Sequence, residues 1–385
     1  MRRVTLVALI ALVAAACTSE ATPPTTEGRS TTSTGAPTTT TVPQPPLIIR
    51  NAGQALTDVI TALYSGDDVA APKRIKAKFR RAAGEPPADG VASVAQWGKG
   101  TRMAVVDTGP DVTLLVADPE WRVVGGWWPS MKIKPDLGRF PKIIAVVGSD
   151  ARPDEPQTTT RSDSIHILAM DGKGNAALAG IPRDSWVPIP GVGTNKINSA
   201  LYYGGPELMM STFGSVTGLH FDGYVLTGFA GFEDLIGVLG GLLMDVPQSF
   251  NDTAAQAFIS AGMQVLDPAQ ALGLSRTRKT LAAGDFSRQE NGGKVLIAAQ
   301  SMARAYGPLG LPNLLSKSRP AISTDMSLDE LLVLSAAILR VSPDNITNVV
   351  APGSAGSAGS ASVVYLSSSA SALWEDLADG KLQGS

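Results

Sequence analysis

In KIIAVVGSDAR, residues 142–152, a short, wholly apolar run from Ile143 to Val147 breaks abruptly into polar residues. Five residues with no polar face, Ile143 to Val147, read as a strand buried on both sides in the centre of a layered sheet. The pattern repeats downstream. Ser164 to Met170 reads as a second strand, and the loop Asp171-Gly172-Lys173-Gly174-Asn175 leads to a third, Ala176 to Ile181. Glu207 to Val216, Phe229 to Leu239 and Arg288 to Tyr306 carry helical spacing. So does Ser327 to Leu339, where Ser327 and Glu330 are spaced as a capping box. The Gly-Ser-Ala triplets from Gly353 to Ala361 read as low-complexity loop, and a strand, Val363 to Leu366, and a helix, Ala370 to Ala378, close the chain. Alternating strands and helices from Lys142 onward predict an α/β layered domain.

Upstream, residues 47–141 read as a small separate unit. Asn51 to Tyr64 predicts a helix with Ala55, Val59 and Leu63 on one face. The basic segment Lys73 to Arg81 is either a solvated helix face or a contact for anionic lipid head groups or cell-wall polymer. Met103 to Asp107, Val112 to Ala117 and Trp121 to Trp128 read as strands of a small antiparallel sheet, divided by turns at residues 108–111 and 118–119. Trp121, Trp127 and Trp128 form either its core or a sugar-stacking surface. No residue of this unit points to chemistry.

The chain opens with Arg2 and Arg3, then an apolar stretch from Val4 to Ala16, then Cys17. A basic start and a short apolar segment read as an export signal, too short to span a bilayer as a helix. Ala14-Ala15-Ala16-Cys17 resembles a bacterial lipobox, although the pattern prefers Leu where Ala14 stands. Cys17 is then the lipidated first residue of the mature chain; otherwise it is an accidental cysteine beside an ordinary cleaved signal. In residues 18–46, Thr, Pro or Ser fills 20 of 29 positions. Such a segment buries too little apolar surface to offset its ordering entropy and makes a disordered tether reaching about 90 Å in polyproline II. The expected organisation is signal and lipobox (1–17), linker (18–46), accessory α+β unit (47–141) and main domain (142–385), with its motifs between 148 and 306.

Composition narrows the function. A formal charge of -2 over 385 residues argues against a nucleic-acid binder, which needs a basic face. One cysteine excludes an intramolecular disulfide or a Cys-rich metal site, and two histidines, His166 and His220, argue against a His-based metal cluster.

Polar residues gather where the strand pattern ends: Asp150 after the first strand, Arg161-Ser162-Asp163 before the second, Pro182-Arg183-Asp184 after the third. Ligands of α/β sheets bind at the carboxyl ends of strands. Two nearby carboxylates can share Mg²⁺, which takes phosphate oxygens and water as its other ligands. Several guanidinium forks suit a multiply charged oxyanion. Arg276-Thr277-Arg278 adds two more; in an extended segment both would point the same way, on a helix they would diverge. Taken singly, each Asp/Arg pair also reads as a surface salt bridge.

As an ordered set, GSDAR (148–152), RSDS (161–164), IPRDSWVPIPGVGTNKIN (181–198), YYGGP (202–206), SRTR (275–278) and GDFSRQ (284–289) resemble the LytR-CpsA-Psr family. The resemblance is strong from Lys142 to Ala305 and weak beyond. It implies an α-β-α domain with a central mixed sheet. It also implies a Mg²⁺-dependent phosphotransferase that moves a polyprenyl-pyrophosphate-linked glycopolymer onto peptidoglycan, outside the cytoplasmic membrane of a bacterial cell envelope. By the same resemblance Asp150 and Asp163 hold Mg²⁺. Arg161, Arg183, Arg276, Arg278 and Arg288 surround the pyrophosphate with Lys196 and Asn198 nearby. Arg183 and Arg278 lead the catalytic set, their motifs converging from different strands on one pocket and having few internal partners. Asp285 either positions an arginine or acts as base. Asp163 would face the pocket, or else pair with Arg161. Leu235, Ile236, Val238 and Leu239 either line a tunnel for the lipid tail or are ordinary core. Two departures stand out: Gly292 replaces a Gln common in the family, and a lipobox stands in place of the usual transmembrane helix. A non-catalytic polyprenyl-phosphate or wall-glycan binding lipoprotein and a lipid pyrophosphatase are the alternatives.

Overall fold

Apolar alternation in the first part of the folded chain closes a sheet of its own. The computed structural model describes residues 47–278 and 283–382; the expected export signal, Cys17 and the expected tether lie outside them. Strands β1 (Ile48–Arg50), β2 (Asp89–Gln96), β3 (Arg102–Asp107), β4 (Val112–Ala117), β5 (Trp121–Trp128) and β6 (Ile133–Asp136) are neighbours in that order. All pairs are antiparallel except β1–β2. Helices α1 (Gln54–Ser65) and α2 (Lys73–Phe79) cover one face and share a core with Ala104, Leu115, Val123 and Trp128.

Three details differ from the sequence reading. The buried stripe of α1 is Leu56, Ile60 and Leu63, while Ala55 is exposed and Val59 only half-buried. Both stripes have helical spacing, and the one that removes more apolar area from water turns inward. Trp121 and Trp128 are buried, and Trp128 Nε1 donates to Thr113 Oγ1 at 2.8 Å, so these two are core and not a sugar surface. The basic segment is neither a wholly solvated face nor an open anion site. Arg74 Nε and Lys78 Nζ reach the buried carboxylate of Asp136 at 2.8 and 2.9 Å, and Lys76 pairs with Asp68.

The second sheet carries the site. Its strands are β7 (Lys142–Ser149), β8 (Ser162–Met170), β9 (Ala176–Gly180), β12 (Gly223–Thr227), β17 (Ser323–Thr324) and β18 (Ile346–Val350), in the order β17-β12-β7-β8-β9-β18. The sheet is mixed: β12–β7 and β9–β18 are parallel, the other pairs antiparallel. Central β7 alternates as a strand covered on both faces should. Ile143, Ala145 and Val147 pack with α3 (Ser199–Thr217) and α9 (Ser369–Leu377). Ile144 faces α7 (Gly307–Ser318) and α8 (Leu328–Arg340). The α7–α8 layer also packs on Met103, Val105 and Leu114 of the first sheet, where Arg122 forks onto Asp329 at 3.1 and 2.7 Å. The capping box of α8 is present, with Ser327 N–H donating to Glu330 at 2.8 Å.

A further core joins α4 (Phe229–Leu239), α5 (Pro268–Arg276) and α6 (Asp285–Ala305) to two hairpins. One pairs β13 (Leu242–Val246) with β16 (Gly262–Leu266), the other β14 (Phe250–Asp252) with β15 (Ala257–Ile259). A third hairpin, β10 (Trp186–Ile189) with β11 (Gly193–Lys196), lies within the IPRD…KIN stretch. The Gly-Ser-Ala segment is not loop: β19 (Gly353–Ala358) pairs with β20 (Ala361–Leu366) along its whole length. Its small residues leave room for Tyr365, since a Cβ on Gly356 would lie 2.7 Å from that ring.

Candidate functional site

Three loops at one end of the central sheet converge through charge. After β7 the chain pinches closed: Asp150 N–H donates to the Arg161 carbonyl, and Arg161 N–H donates to Asp150 Oδ1, both at 2.8 Å. Burial raises the Asp150 pKa against the pull of that amide, and the negative charge of Asp163 adds to the rise. The two carboxylates therefore sense one another. Asp163 pairs with Arg183, from the loop after β9, and not with Arg161. Arg183 thus has an internal partner. Burial, the largest influence on it, would lower its pKa, but Asp163 and Asp184 outweigh burial and raise it. Asp184 in turn holds Lys196 Nζ at 2.9 Å and Arg278 Nη1 at 3.3 Å.

Asp285 and Arg288, one turn apart at the head of α6, are both buried and paired with each other. Burial pushes the Asp285 carboxyl up, and it pushes the Arg288 guanidinium down against the opposing pull of Asp285. The fields of Arg183 and Asp184 reach Asp285, and those of Arg183, Asp163 and Arg278 reach Arg288, so the pairs form one network.

This network stands between two spaces. On one side lies a largely apolar cavity walled by Val146, Phe229, Phe232, Leu272, Val295 and Leu296, with Asp163, Arg276 and Arg288 at its polar end. On the other side an open cleft is lined by Arg183, Asp184, Lys196, Arg278 and Asp285. Between them, Arg183 Nε, Arg288 Nε and Asp285 Oδ2 are buried with no hydrogen-bond partner among the described residues. Folded proteins seldom leave buried polar atoms unpaired, so these groups are available to a polar ligand or an ordered water.

Not every expected residue joins. Asn198 is buried as a brace: its backbone N–H donates to the Arg183 carbonyl, and its own carbonyl accepts from Ser162 N–H, both at 3.2 Å. Arg161 is exposed at the rim, its guanidinium 5.5 Å from the Tyr202 ring centre. Arg276 is the last residue of α5, stacked 4.4 Å over Phe229, so it diverges from Arg278. The RTR motif is a helix end and not an extended strand. Ile236 is buried core, and the cavity wall comes from Phe229 and Phe232 in place of the Leu235–Leu239 segment.

For a metal, the described residues contain no group of three or more His, Cys, Asp or Glu placed to hold an ion. Asp150 and Asp163 alone fit a hard cation that keeps water and takes phosphate oxygens, and do not form an all-protein cage.

Sequence reasoning missed a buried unit behind the cavity. Fully buried His166 contacts the Gln289 carbonyl through Nε2 at 2.9 Å and Ser164 Oγ through Nδ1 at 3.1 Å. A carbonyl only accepts, so Nε2 carries the proton and Nδ1 accepts from the Ser164 hydroxyl. Burial holds the ring neutral, its pKa lowered to about 4. Ser164 lines the cavity beside Asp163. A Cβ at position 292 would lie 2.8 Å from His166 Cε1, so Gly292 is what lets the imidazole sit there. A histidine inside an otherwise apolar strand, coupled to a glycine where the family has Gln, was the available signal.

Among known proteins, the probable cell wall biosynthesis protein LcpB of Corynebacterium glutamicum is 40% identical over 149 residues, 39% of this chain and 36% of that one. TagV of Bacillus subtilis, a polyisoprenyl-teichoic acid–peptidoglycan teichoic acid transferase, is 29% identical over 209 residues, 52% of this chain and 53% of that one. The chain thus matches about a third to a half of these relatives' lengths. The fold is that of TagT solved with bound octaprenyl pyrophosphate lipid, with a TM-score of 0.50 and 21% identity over 65% of this chain and 94% of that one. Residues 129–379, more than half of the sequence and the whole of the central sheet, match a single family profile, and the chain belongs to the LytR_cpsA_psr family.

Proposed function

We propose that the chain transfers a polyprenyl-pyrophosphate-linked glycopolymer onto peptidoglycan at the cell envelope, with Mg²⁺. One observation carries this reading: two arginines, Arg288 buried and Arg183 half-buried, keep buried Nε–H groups unpartnered among the described residues, where an apolar pocket and an open polar cleft meet them. A lipid tail suits the cavity, a pyrophosphate the arginines, and a glycan the cleft. The names of the relatives agree, TagV being a transferase of this kind and TagT having been solved with a polyprenyl pyrophosphate.

In the reaction an acceptor hydroxyl attacks the phosphorus that bears the sugar, a phosphodiester forms, the bridging P–O bond breaks and polyprenyl phosphate leaves. Arg183 and Arg288 neutralise charge on the phosphoryl oxygens, positioning that supplies most of the catalysis in phosphoryl transfer. Asp163 orients Arg183, and Asp285 Oδ1 orients Arg288. Asp285 Oδ2, buried and unpartnered, takes the hydroxyl proton, and the burial that raises its pKa makes it a better base. Mg²⁺ held by Asp150 and Asp163 would supply further charge neutralisation on the phosphates. Arg278 and Lys196, gathered by Asp184, give the cleft its positive rim.

No helix of the described residues is long and apolar enough to cross a membrane. Anchoring through lipidated Cys17 is part of the proposal, and a mature N-terminus with unmodified Cys17 in mass spectrometry would remove it. The purified chain, given a polyprenyl-pyrophosphate glycan and a peptidoglycan oligosaccharide, is expected to form a Mg²⁺-dependent conjugate. Lipid phosphate released equally without acceptor would mean a pyrophosphatase; tight donor binding without turnover would mean a binding protein.

A further inference from the structure

Tyr202 and Tyr203 stand on the first turn of α3 with 56% and 50% of their surface in water, while adjacent Ala200 and Leu201 are fully buried. Gly204 and Gly205 keep them there. The backbone leaves helical angles at both, with Gly205 at φ 64, and the helix resumes at Pro206. The first turn is thereby a separate short piece seated against β10–β11. The two rings are also held in place. They meet edge to face at 5.4 Å, and Tyr203 Oη accepts from Asn195 Nδ2 at 3.3 Å. The Arg161 guanidinium lies against the Tyr202 ring. Every one of these supports leads to the charged network: the Arg161 amide donates to Asp150, and Lys196, next to Asn195, reaches Asp184.

We propose that Tyr202 and Tyr203 form a subsite for a pyranose ring of the glycan, next to the phosphates; this stands on the pyrophosphate reading of the cleft. A pyranose presents a face of C–H bonds and a rim of hydroxyls, and a phenol side chain matches both with an apolar ring and a polar tip. The Arg161 guanidinium over one face of the Tyr202 ring brings a cation to the subsite for the charge of a sugar phosphate and leaves the sugar the other exposed ring surfaces. Two rings are far too small a patch for a protein partner, which needs an interface of about 1,000 Å² or more. The sugar is either the first residue of the donor or one of the acceptor strand, and the two are separable by competition.

The test titrates the purified chain with a tetramer of N-acetylglucosamine and, separately, with inorganic pyrophosphate, followed by calorimetry. Tyr202→Ala and Tyr203→Ala are expected to weaken tetramer binding about two- to tenfold each, the size of one aromatic contact. Tyr202→Phe keeps the ring and stays within about twofold on the same scale. Pyrophosphate affinity of Tyr203→Ala matches the wild type. Tetramer binding lost in the presence of a lipid-linked donor assigns the subsite to the donor sugar; tetramer binding retained assigns it to the acceptor. A wild-type chain that ignores the tetramer, or Ala variants that bind it as well as wild type, overturns the subsite. Failure of pyrophosphate alone to bind would instead sink the reading of the cleft, and with it the placement of the subsite beside the phosphates, whatever the tetramer does.

Discussion

Asp111 in the first sheet and Asp285 at the head of α6 are both buried carboxylates, with 0% and 8% of their surface exposed. Asp111 is fully satisfied: it accepts from Tyr64 Oη and Ser130 N–H, each at 2.9 Å, and from the Ser130 hydroxyl. Burial and the Asp111 charge push the Tyr64 hydroxyl well above its ordinary pKa, which keeps it a donor. Asp285 has Arg288 on one oxygen and no hydrogen-bond partner on the other, and Arg288 and Arg183 each keep an unpartnered Nε–H among the described residues. A buried polar group costs free energy unless it is paired. The closed network belongs to the fold. The open one keeps its cost until a ligand arrives, and that is how a binding site differs from a structural one built of the same residue types.

The largest expected effect lies in the closed network. Asp111→Ala strands the Tyr64 and Ser130 donors inside the sheet and should cost about 3 kcal/mol or more of stability by denaturant unfolding, at roughly 1–3 kcal/mol per stranded group. Pyrophosphate binding by the folded fraction should be unchanged. A loss below about 1 kcal/mol would mean that this network is not the closed one described.

Arg183→Lys tests the open network. The charge and an ion pair to Asp163 survive, but the fork is lost, so transfer should fall about ten- to a hundredfold while the melting temperature moves little. Arg278→Lys, whose contact with Asp184 is longer, should cost less. Tolerated Lys variants would make both arginines structural and erase the contrast.

His166 sharpens the comparison through pH. Its folded pKa is lowered from 6.5 to about 4, so the unfolded chain binds the extra proton first. Stability from this group is complete above pH 6.5 and is lost as pH falls toward 4. Between pH 7 and 5 the loss should be about 2 kcal/mol in urea unfolding, and His166→Asn should flatten the slope. An unchanged slope in that variant would mean that His166 is not the buried neutral base described here.

Much of this was legible in the chain before folding, for physical reasons. The apolar run 143–147, short, rich in β-branched residues and ended by Gly148, suits a strand covered on both faces, and it became β7. Val112 to Ala117, Trp121 to Trp128 and Phe229 to Leu239 hold to the residue, because turns and glycines bound them. The hairpin of residues 353–366 was not legible, since Gly, Ser and Ala carry little strand preference and its order comes from the partner strand. The early start of α3 was hidden by Gly204 and Gly205, which break the helical pattern without ending the element. Within the site, the motifs point to Arg183, Asp163, Asp285 and Arg288 as residue types. Who pairs with whom is a tertiary fact: Asp163 met Arg183 from twenty residues away and not Arg161 beside it. The position of Arg276 on a helix end was likewise beyond an i, i+2 argument.

The central claim is that a lipid pyrophosphate bridges the cavity and the network. Calorimetric titration of the purified chain with farnesyl pyrophosphate in Mg²⁺, against inorganic pyrophosphate and farnesol, addresses it directly. Farnesyl pyrophosphate is expected to bind at least tenfold more tightly than either fragment, since burying even a few methylenes contributes about 0.8 kcal/mol each. Arg183→Lys should remove about tenfold of that affinity through the lost fork. Farnesyl pyrophosphate that binds no better than pyrophosphate alone, or binding indifferent to Arg183→Lys, would contradict the account.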